Sequence, residues 1–160
     1  MVQTRLQKGY CIDTSALIGL DSYPEDVFPR LWEDMEGLVN DGLLIAPSEV
    51  YRELGRKYEG DVQKWTRKHR EMFVDLDEEQ IKEVKAIQHT FPNLVDPNKT
   101  MPDADPFLIA LARCRGGWVV VTLETVSKNI FKPKIPNVCE YFGVKYINLL
   151  GLFRECNWKY

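Results

Sequence analysis

The chain has 160 residues, 44% of them hydrophobic and 28% charged, which predicts a single folded domain and excludes a disordered chain. The net charge of −3 neither indicates nor excludes a nucleic-acid-binding surface. The four cysteines have no CxxC spacing, which argues for a cytoplasmic protein and against a zinc site. No apolar run approaches the length of a membrane span, so no membrane contact is expected.

Two strands and two helices are predicted in the first third of the chain. A short apolar strand covers 10–13, and a helical pattern follows over 24–40, with Pro29 marking where its regular part begins. A second apolar strand covers 43–46, and the next helix begins at Pro47.

The rest of the chain continues this alternation of strands and helices. The predicted elements are a basic helix over 60–73, a helix over 77–91, an irregular loop over 92–101, an apolar helix over 103–115, a strand over 118–122, a short helix over 136–142, a strand over 144–147 and a closing helix over 148–156. Strands separated by helices imply a mainly parallel sheet with helices on both faces. The predicted fold class is therefore α/β, a three-layer α/β/α sandwich, in one domain over 1–160 with a core of about 10–155 and a helical insertion of about 58–91.

Four acidic residues fall where this topology brings separate segments together: Asp13, Glu53, Asp105 and Glu124. Asp13 closes the first strand and Glu124 lies just past the strand over 118–122, and the carboxyl ends of parallel strands share one edge of a sheet. Glu53 lies about two helical turns beyond the second strand, and Asp105 opens the apolar helix. Crowded carboxylates repel each other until a cation enters, so the pattern predicts a divalent metal site.

Each acid also has a purely structural interpretation. Asp13 and Asp105 both stand where a helix begins and are suited to capping it, and Asp103 can cap in place of Asp105. Glu53 can lie on a solvated helix face, and Glu49, one turn earlier on the same face, is its main rival for the pocket.

The acids lie in four short motifs that resemble those of PIN-like domain nucleases. Residues 11–15 resemble the opening D-T-[SN] motif, 47–54 the second motif with its Glu before Leu, 105–112 the third with its Ala-rich helix, and 121–124 the fourth. The segment 134–140 is similar to the tail of a bacterial PIN-like subfamily of poorly defined function. The four motifs occur in the family's order and span most of the chain.

The resemblance implies a PIN-like fold and a metal-dependent endoribonuclease that hydrolyses phosphodiester bonds of single-stranded RNA. Asp13, Glu53, Asp105 and Glu124 would be both the catalytic residues and the ligands of one or two Mg²⁺ or Mn²⁺ ions. Such ions activate water and shelter the charge that develops on the phosphate, and both ions prefer carboxylate oxygens. The resemblance further implies the toxin of a toxin–antitoxin pair, with RNA and an antitoxin protein as partners and a homodimer as a candidate assembly.

Residues near the acids are predicted to support them. The hydroxyls of Thr14, Ser15 and Thr122 would orient carboxylates or a water, or else cap local turns, and the carboxylates of Asp103 and Glu49 lie beside the same pocket.

Basic residues are the candidates for holding the phosphate backbone of RNA. The favoured ones are Lys128, Lys132, Lys134 and Arg52. The lysines follow Glu124 directly, which places them beside the predicted pocket. The rival stretch over 64–70 combines basic residues with Trp65, and it can equally be a solvated helix face.

The main alternative is a catalytically weak or inactive PIN-like module that binds RNA or protein. It is suggested by the fourth motif, because Ser127 and Lys128 stand where many PIN enzymes carry a further Asp. A phosphatase with Asp13 as nucleophile is disfavoured, since Ser15 stands where that chemistry usually places a second Asp. A nucleotide-binding P-loop protein is also disfavoured, because the sequence contains no GxxxxGK[ST] run.

Overall fold

The centre of the fold is a parallel sheet. The computed structural model describes residues 8–57, 59–95 and 103–160. Its strands are β1 Tyr10–Ile12, β2 Leu44–Pro47, β3 Phe73–Val74, β4 Val119–Val121 and β5 Tyr146–Ile147. Every pairing is parallel and the order across the sheet is β3-β2-β1-β4-β5, so β1 lies in the middle.

Helices connect successive strands, and one more follows the last strand. They are α1 Thr14–Gly19, α2 Pro29–Asn40, α3 Ser48–Lys57, α4 Asp61–Lys68, α5 Glu78–Thr90, α6 Asp105–Arg115, α7 Ile135–Phe142 and α8 Leu149–Glu155. The architecture is the predicted α/β class, with helices in layers above and below the sheet. Among the described residues, no helix has both the length and the apolar character that crossing a membrane requires.

The continuous apolar runs of β1, β2 and β4 are explained by burial on both faces of the sheet. All residues of these three strands are buried. In the centre, Cys11 is in register with Ile45 of β2 and with Val120 of β4. A strand between two partners and under two helical layers is the most rigidly held part of such a fold, and β1 is the strand that leads to Asp13.

Alternate residues of β1 divide between two hydrophobic cores. Tyr10 and Ile12 pack on one face, with residues of α1, α2, α3 and α8. Cys11 packs on the other face, with residues of α5, α6 and α7. This division follows from the two-residue period of a strand, and it creates the three layers.

The segment over 58–91 differs from its predicted form. The predicted helix over 60–73 ends as α4 at Lys68, a 3₁₀ turn follows over Arg70–Met72, and β3 then pairs with β2 at the sheet edge. The segment thus contains two helices and a strand that joins the sheet, and is not purely helical as predicted. A two-residue strand is too short to show the alternation by which strands are recognised in a sequence. In the predicted loop over 92–101, Pro92–Leu94 forms a 3₁₀ turn, while 96–102 lies outside the described residues.

Candidate functional site

Asp13 follows β1 directly and lies at the carboxyl edge of the sheet. Its backbone N–H donates to the Val121 carbonyl at the end of β4 (2.9 Å). Asp13 is only 4% exposed, and its carboxylate accepts hydrogen bonds from Ala16 N (2.8 Å), Ser15 Oγ (2.8 Å) and Thr122 Oγ1 (2.8 Å). The Ala16 contact caps α1, so the capping role proposed for Asp13 is confirmed, and it leaves the carboxylate at the sheet edge.

The hydroxyls predicted to support the acids separate into two groups. Ser15 and Thr122 both donate to the carboxylate of Asp13, and Thr122 Oγ1 also accepts a hydrogen bond from the Glu124 N–H (3.0 Å). They therefore join the end of β4 to the end of β1. Thr14 Oγ1 is buried and has no hydrogen-bond partner within the described part of the chain.

Glu53 connects α3 to the start of α6. Its side chain is 7% exposed, and Oε2 accepts a hydrogen bond from the Ala104 N–H (3.2 Å). Asp105, half-buried, is the first residue of α6 and is followed by Pro106. The N-cap position of the helix is Ala104, so it is held by neither Asp103 nor Asp105. Because α6 precedes the parallel strand β4, its first residue lies at the same sheet edge as Asp13.

Glu124 lies three residues past β4 and is half-buried. Its Oε2 accepts a hydrogen bond from the Ile135 N–H at the start of α7 (3.0 Å). A carboxylate has two oxygens with several lone-pair positions, so this contact leaves acceptor capacity on the same side chain. Glu124 therefore closes the loop over 125–134 while it contributes charge to the sheet edge.

The electrostatics show that the four predicted acids lie near one another. Burial raises the pKa of Asp105 well above its ordinary value, and the negative charges of Glu124, Glu53, Asp13 and Asp103 raise it further, in that order. Burial also raises the pKa of Asp13 to about 6, although hydrogen bonds from Ala16, Thr122 and Ser15 act in the opposite direction. Asp105 is thus surrounded by carboxylates from three other parts of the chain and by that of Asp103, two residues before it.

The carboxylates surround Asp105 without forming a ligand shell. Within residues 8–57, 59–95 and 103–160, no group of three or more His, Cys, Asp or Glu side chains is arranged to hold a metal ion. The donors nevertheless suit Mg²⁺ or Mn²⁺, because they are all carboxylate oxygens and their mutual repulsion disfavours the ionised state in the absence of a cation. The residue types therefore fit such an ion, although the side chains as they stand do not form its ligand shell.

Glu49 and Arg52 pair with each other on α3. The Arg52 Nη1 lies 3.6 Å from Glu49 Oε1, and the Arg52 side chain is 54% exposed. Glu49 Oε2 is buried and has no hydrogen-bond partner among the described residues. Of the two rivals on this helix, Glu53 is the one that reaches α6 and influences Asp105, while Glu49 lies one turn back beside Arg52.

The three lysines predicted to bind RNA lie on the loop between Glu124 and α7. Lys128, Lys132 and Lys134 are all exposed. The loop is anchored by Asn137, whose Oδ1 accepts hydrogen bonds from the N–H groups of Ser127 (2.9 Å) and Lys134 (3.0 Å). Asn137 and Ile135 were not predicted as site residues, although both lie in the tail motif over 134–140, because their bonds to Ser127 and Glu124 span ten and eleven residues of the chain.

The rival stretch over 64–70 is less suited to a phosphate backbone. Trp65 is half-buried, with its ring 5.8 Å from that of Trp32 and 4.7 Å from that of His69 (centroid distances). The lysines of α4 share a groove of about 960 Å³ with five acidic residues: Glu25, Asp26, Glu33, Glu36 and Asp61. Acids at this density repel phosphates, so the mixed charge favours the solvated-face interpretation of this stretch.

The raised pKa values predict how stability depends on pH. Without divalent metal, the free energy of unfolding is expected to fall as pH rises from about 4 to about 6, because native Asp13 retains a proton that the unfolded chain has released. The difference between the ordinary value of 3.8 and about 6 corresponds to at most roughly 3 kcal/mol. Asp105 extends the loss to higher pH.

Urea unfolding in a chelator, repeated across this pH range, measures the effect. Asp13→Asn should have a flatter pH dependence than the natural protein, because asparagine does not titrate. Identical slopes for the two proteins would show that Asp13 does not carry the shift.

These observations define an α/β protein with a cluster of partly buried acids at the carboxyl edge of a parallel sheet, the edge where open α/β sheets bind their ligands. The chain belongs to the family described as Domain of unknown function (DUF4411), whose profile matches residues 10–160. No curated protein matches the chain.

Proposed function

We propose that this protein is a metal-dependent ribonuclease of the PIN-like type, which hydrolyses phosphodiester bonds of single-stranded RNA. The observation that carries the proposal is the position of Asp105 among Asp13, Glu53 and Glu124 at the carboxyl edge of the sheet. A cluster of like charges is unfavourable for stability, so its presence favours a role in binding a cation. The four-motif resemblance to PIN-like nucleases supports the same function.

Asp13, Glu53, Asp105 and Glu124 would hold one or two Mg²⁺ or Mn²⁺ ions. When bound, such ions supply an activated water and shelter negative charge on the phosphate. Ser15 and Thr122 fix the Asp13 carboxylate through hydrogen bonds, which orients its remaining lone pairs. Asp13 and Asp105, with their raised pKa values, release protons as the cation enters, so binding is expected to strengthen as pH rises.

The alternative of an inactive binding module is favoured by one observation. Glu124 already accepts a hydrogen bond from Ile135, so it serves the loop even if it serves no cation. The role of a toxin, the antitoxin partner and the homodimer stay predictions from the resemblance.

The direct test is a cleavage assay. Purified protein with Mn²⁺ or Mg²⁺ should cut a labelled single-stranded RNA, and a chelator should stop the reaction. RNA that stays intact under these conditions, while the protein still binds it, would favour the inactive module.

Metal binding should also be visible without any substrate. Mn²⁺ is expected to raise the melting temperature by mass action, more strongly near pH 8 than near pH 5, because protons compete for the carboxylates at low pH. Thermal unfolding with Mn²⁺ or chelator measures the shift.

Asp13→Asn should lose most of this response and should be at least as stable as the natural protein in chelator, because it removes one of the crowded charges. Asp41→Asn, an exposed acid at the end of α2, is the matched control and should respond like the natural protein. An equal Mn²⁺ shift in both variants would exclude Asp13 as a ligand.

A further inference from the structure

The loop over 125–134 and its approach from β4 expose an unusual amount of apolar surface. Four of the eight large hydrophobic side chains that are exposed in the described part of the chain lie within nine consecutive residues: Leu123, Val126, Ile130 and Phe131. Ile130 is 84% exposed and Phe131 71%. Isolated exposed apolar residues are ordinary, but a concentrated group of them marks a surface that binds something.

The loop that carries these side chains is held in place by hydrogen bonds. Asn137 fixes Ser127 from both sides, since its Oδ1 accepts from the Ser127 N–H and its Nδ2 donates to the Ser127 carbonyl (3.0 Å). At the tip, Asn129 Oδ1 accepts from the Phe131 N–H (3.0 Å), and the Asn129 carbonyl accepts from the Lys132 N–H (3.0 Å). The backbone of Phe131 is therefore fixed while its ring projects towards solvent.

Positive charge and the acid cluster border this apolar surface. Three exposed lysines lie on the same loop: Lys128, Lys132 and Lys134. The loop begins at Glu124 and returns to it through the Ile135 hydrogen bond, so its two ends are fixed to an acid of the candidate site. A cleft of about 400 Å³ extends the surface towards β5, and Leu123, Glu124 and Val126 are among its lining residues.

We propose that this loop is the binding surface for an unpaired nucleotide strand, with Phe131 stacking on a base and the lysines contacting phosphates. An exposed aromatic ring among lysines is the combination by which proteins bind single strands, because every base offers a ring face and every linkage a negative charge. A duplex buries its base faces, so it cannot use the Phe131 ring. The proposal rests on the proposed function, and it adds how the substrate is held and why it must be unpaired.

A membrane surface is the other ligand that apolar and basic side chains can fit. The nucleotide strand is favoured because the loop is attached at both ends to Glu124, so a strand that stacks on Phe131 lies beside the acids that would cut it. A membrane bound at the same position would place the acid cluster against anionic headgroups, which repel it, and would give the cluster no role.

Binding is measured without cleavage, by fluorescence anisotropy of a short labelled polyuridine strand in chelator at low salt. Phe131→Ala should weaken binding at least about fivefold, and Phe131→Trp should retain it. Phe131→Leu keeps an apolar side chain without a ring face, so it should behave like Phe131→Ala. Val27→Ala, which also trims an exposed apolar residue (63%) but outside the loop, is the control and should bind normally.

Two further measurements test the details of the binding mode. Replacing Lys128, Lys132 and Lys134 with glutamine should lower the slope of log affinity against log salt by about 0.7 for each phosphate that a lysine no longer neutralises. The polyuridine strand annealed to polyadenosine should bind more weakly, and its binding should not respond to Phe131→Ala. Because Phe131 is exposed, melting temperatures of its variants should match that of the natural protein, which excludes unfolding as the cause.

Two results would overturn the proposal. One is unchanged polyuridine binding by Phe131→Ala. The other is binding to phosphatidylcholine–phosphatidylserine vesicles that Phe131→Ala loses and Phe131→Leu keeps, which would assign the loop to a lipid surface. Because the binding assay needs no metal, its outcome is separate from that of the nuclease proposal. If the protein cuts RNA but its binding does not depend on Phe131, only this inference is refuted. If the protein binds RNA through Phe131 but does not cut it, only the nuclease proposal is refuted.

Discussion

Replacing Asp105 with asparagine is expected to slow RNA cleavage at least about 100-fold while the protein stays folded. Asp105 lies among Asp13, Glu53 and Glu124, so under the proposed function its replacement removes a carboxylate that would hold the metal. The same change relieves repulsion, so the free energy of unfolding in chelator should stay the same or rise. Loss of activity together with unchanged or higher stability separates a role in the site from a role in the fold.

The measurement is a single-turnover cleavage rate with Mn²⁺, alongside a urea unfolding curve in chelator. Asp41→Asn removes an exposed acid at the end of α2, just before β2 begins and so at the opposite edge of the sheet, and should cut RNA at the natural rate. If Asp105→Asn cuts as fast as this control, the nuclease activity belongs to another site or to a contaminant.

Ile12→Ala is expected to have the largest effect on stability of the changes considered, about 2–5 kcal/mol. Ile12 is fully buried on β1, in register with Val121 of β4, and packs into the core shared with α1 and α2. Removing its methyl and ethyl groups leaves a cavity that a strand with neighbours on both sides cannot close. Thermal unfolding should show a fall of roughly 5 °C or more for a chain of this length.

Ile130→Ala is the matched control for this prediction. It deletes the same atoms from a side chain that is 84% exposed, so its unfolding free energy should change by no more than about 0.5 kcal/mol. Equal destabilisation by the two variants would contradict the central position of β1.

The elements that the sequence predicts well are those with a strong and continuous pattern. β1 and β4 are buried on both faces, which gives unbroken apolar runs, and α2 begins at Pro29 as the proline indicates. β3 has no such pattern, because Phe73 and Val74 are only half-buried and follow a basic helix. Its place in the sheet depends on pairing with β2, a contact that no local pattern contains.

Some features of the candidate site could likewise be predicted from the sequence, and others could not. The grouping of Asp13 with Glu124 follows from the parallel topology, since both come after neighbouring strands. The choice between Glu49 and Glu53 does not follow from the topology, because both lie on one face of α3. Only the Ala104 contact shows that Glu53 is the one that reaches α6. The loop contacts of Asn137 and Ile135 were also beyond prediction, since each joins residues that only the folded chain brings together.

The order of the strands in the sheet also has a consequence for protein synthesis. β1 is made first but takes its place between β2 and β4, and β4 is made only after Asp105. The acid cluster therefore cannot assemble until residue 124 has been made, when more than three quarters of the 160 residues have been translated. A chain that stops earlier lacks Glu124, and one that stops before α6 lacks Asp105 as well. An activity that needs all four acids therefore cannot appear before most of the domain has been made.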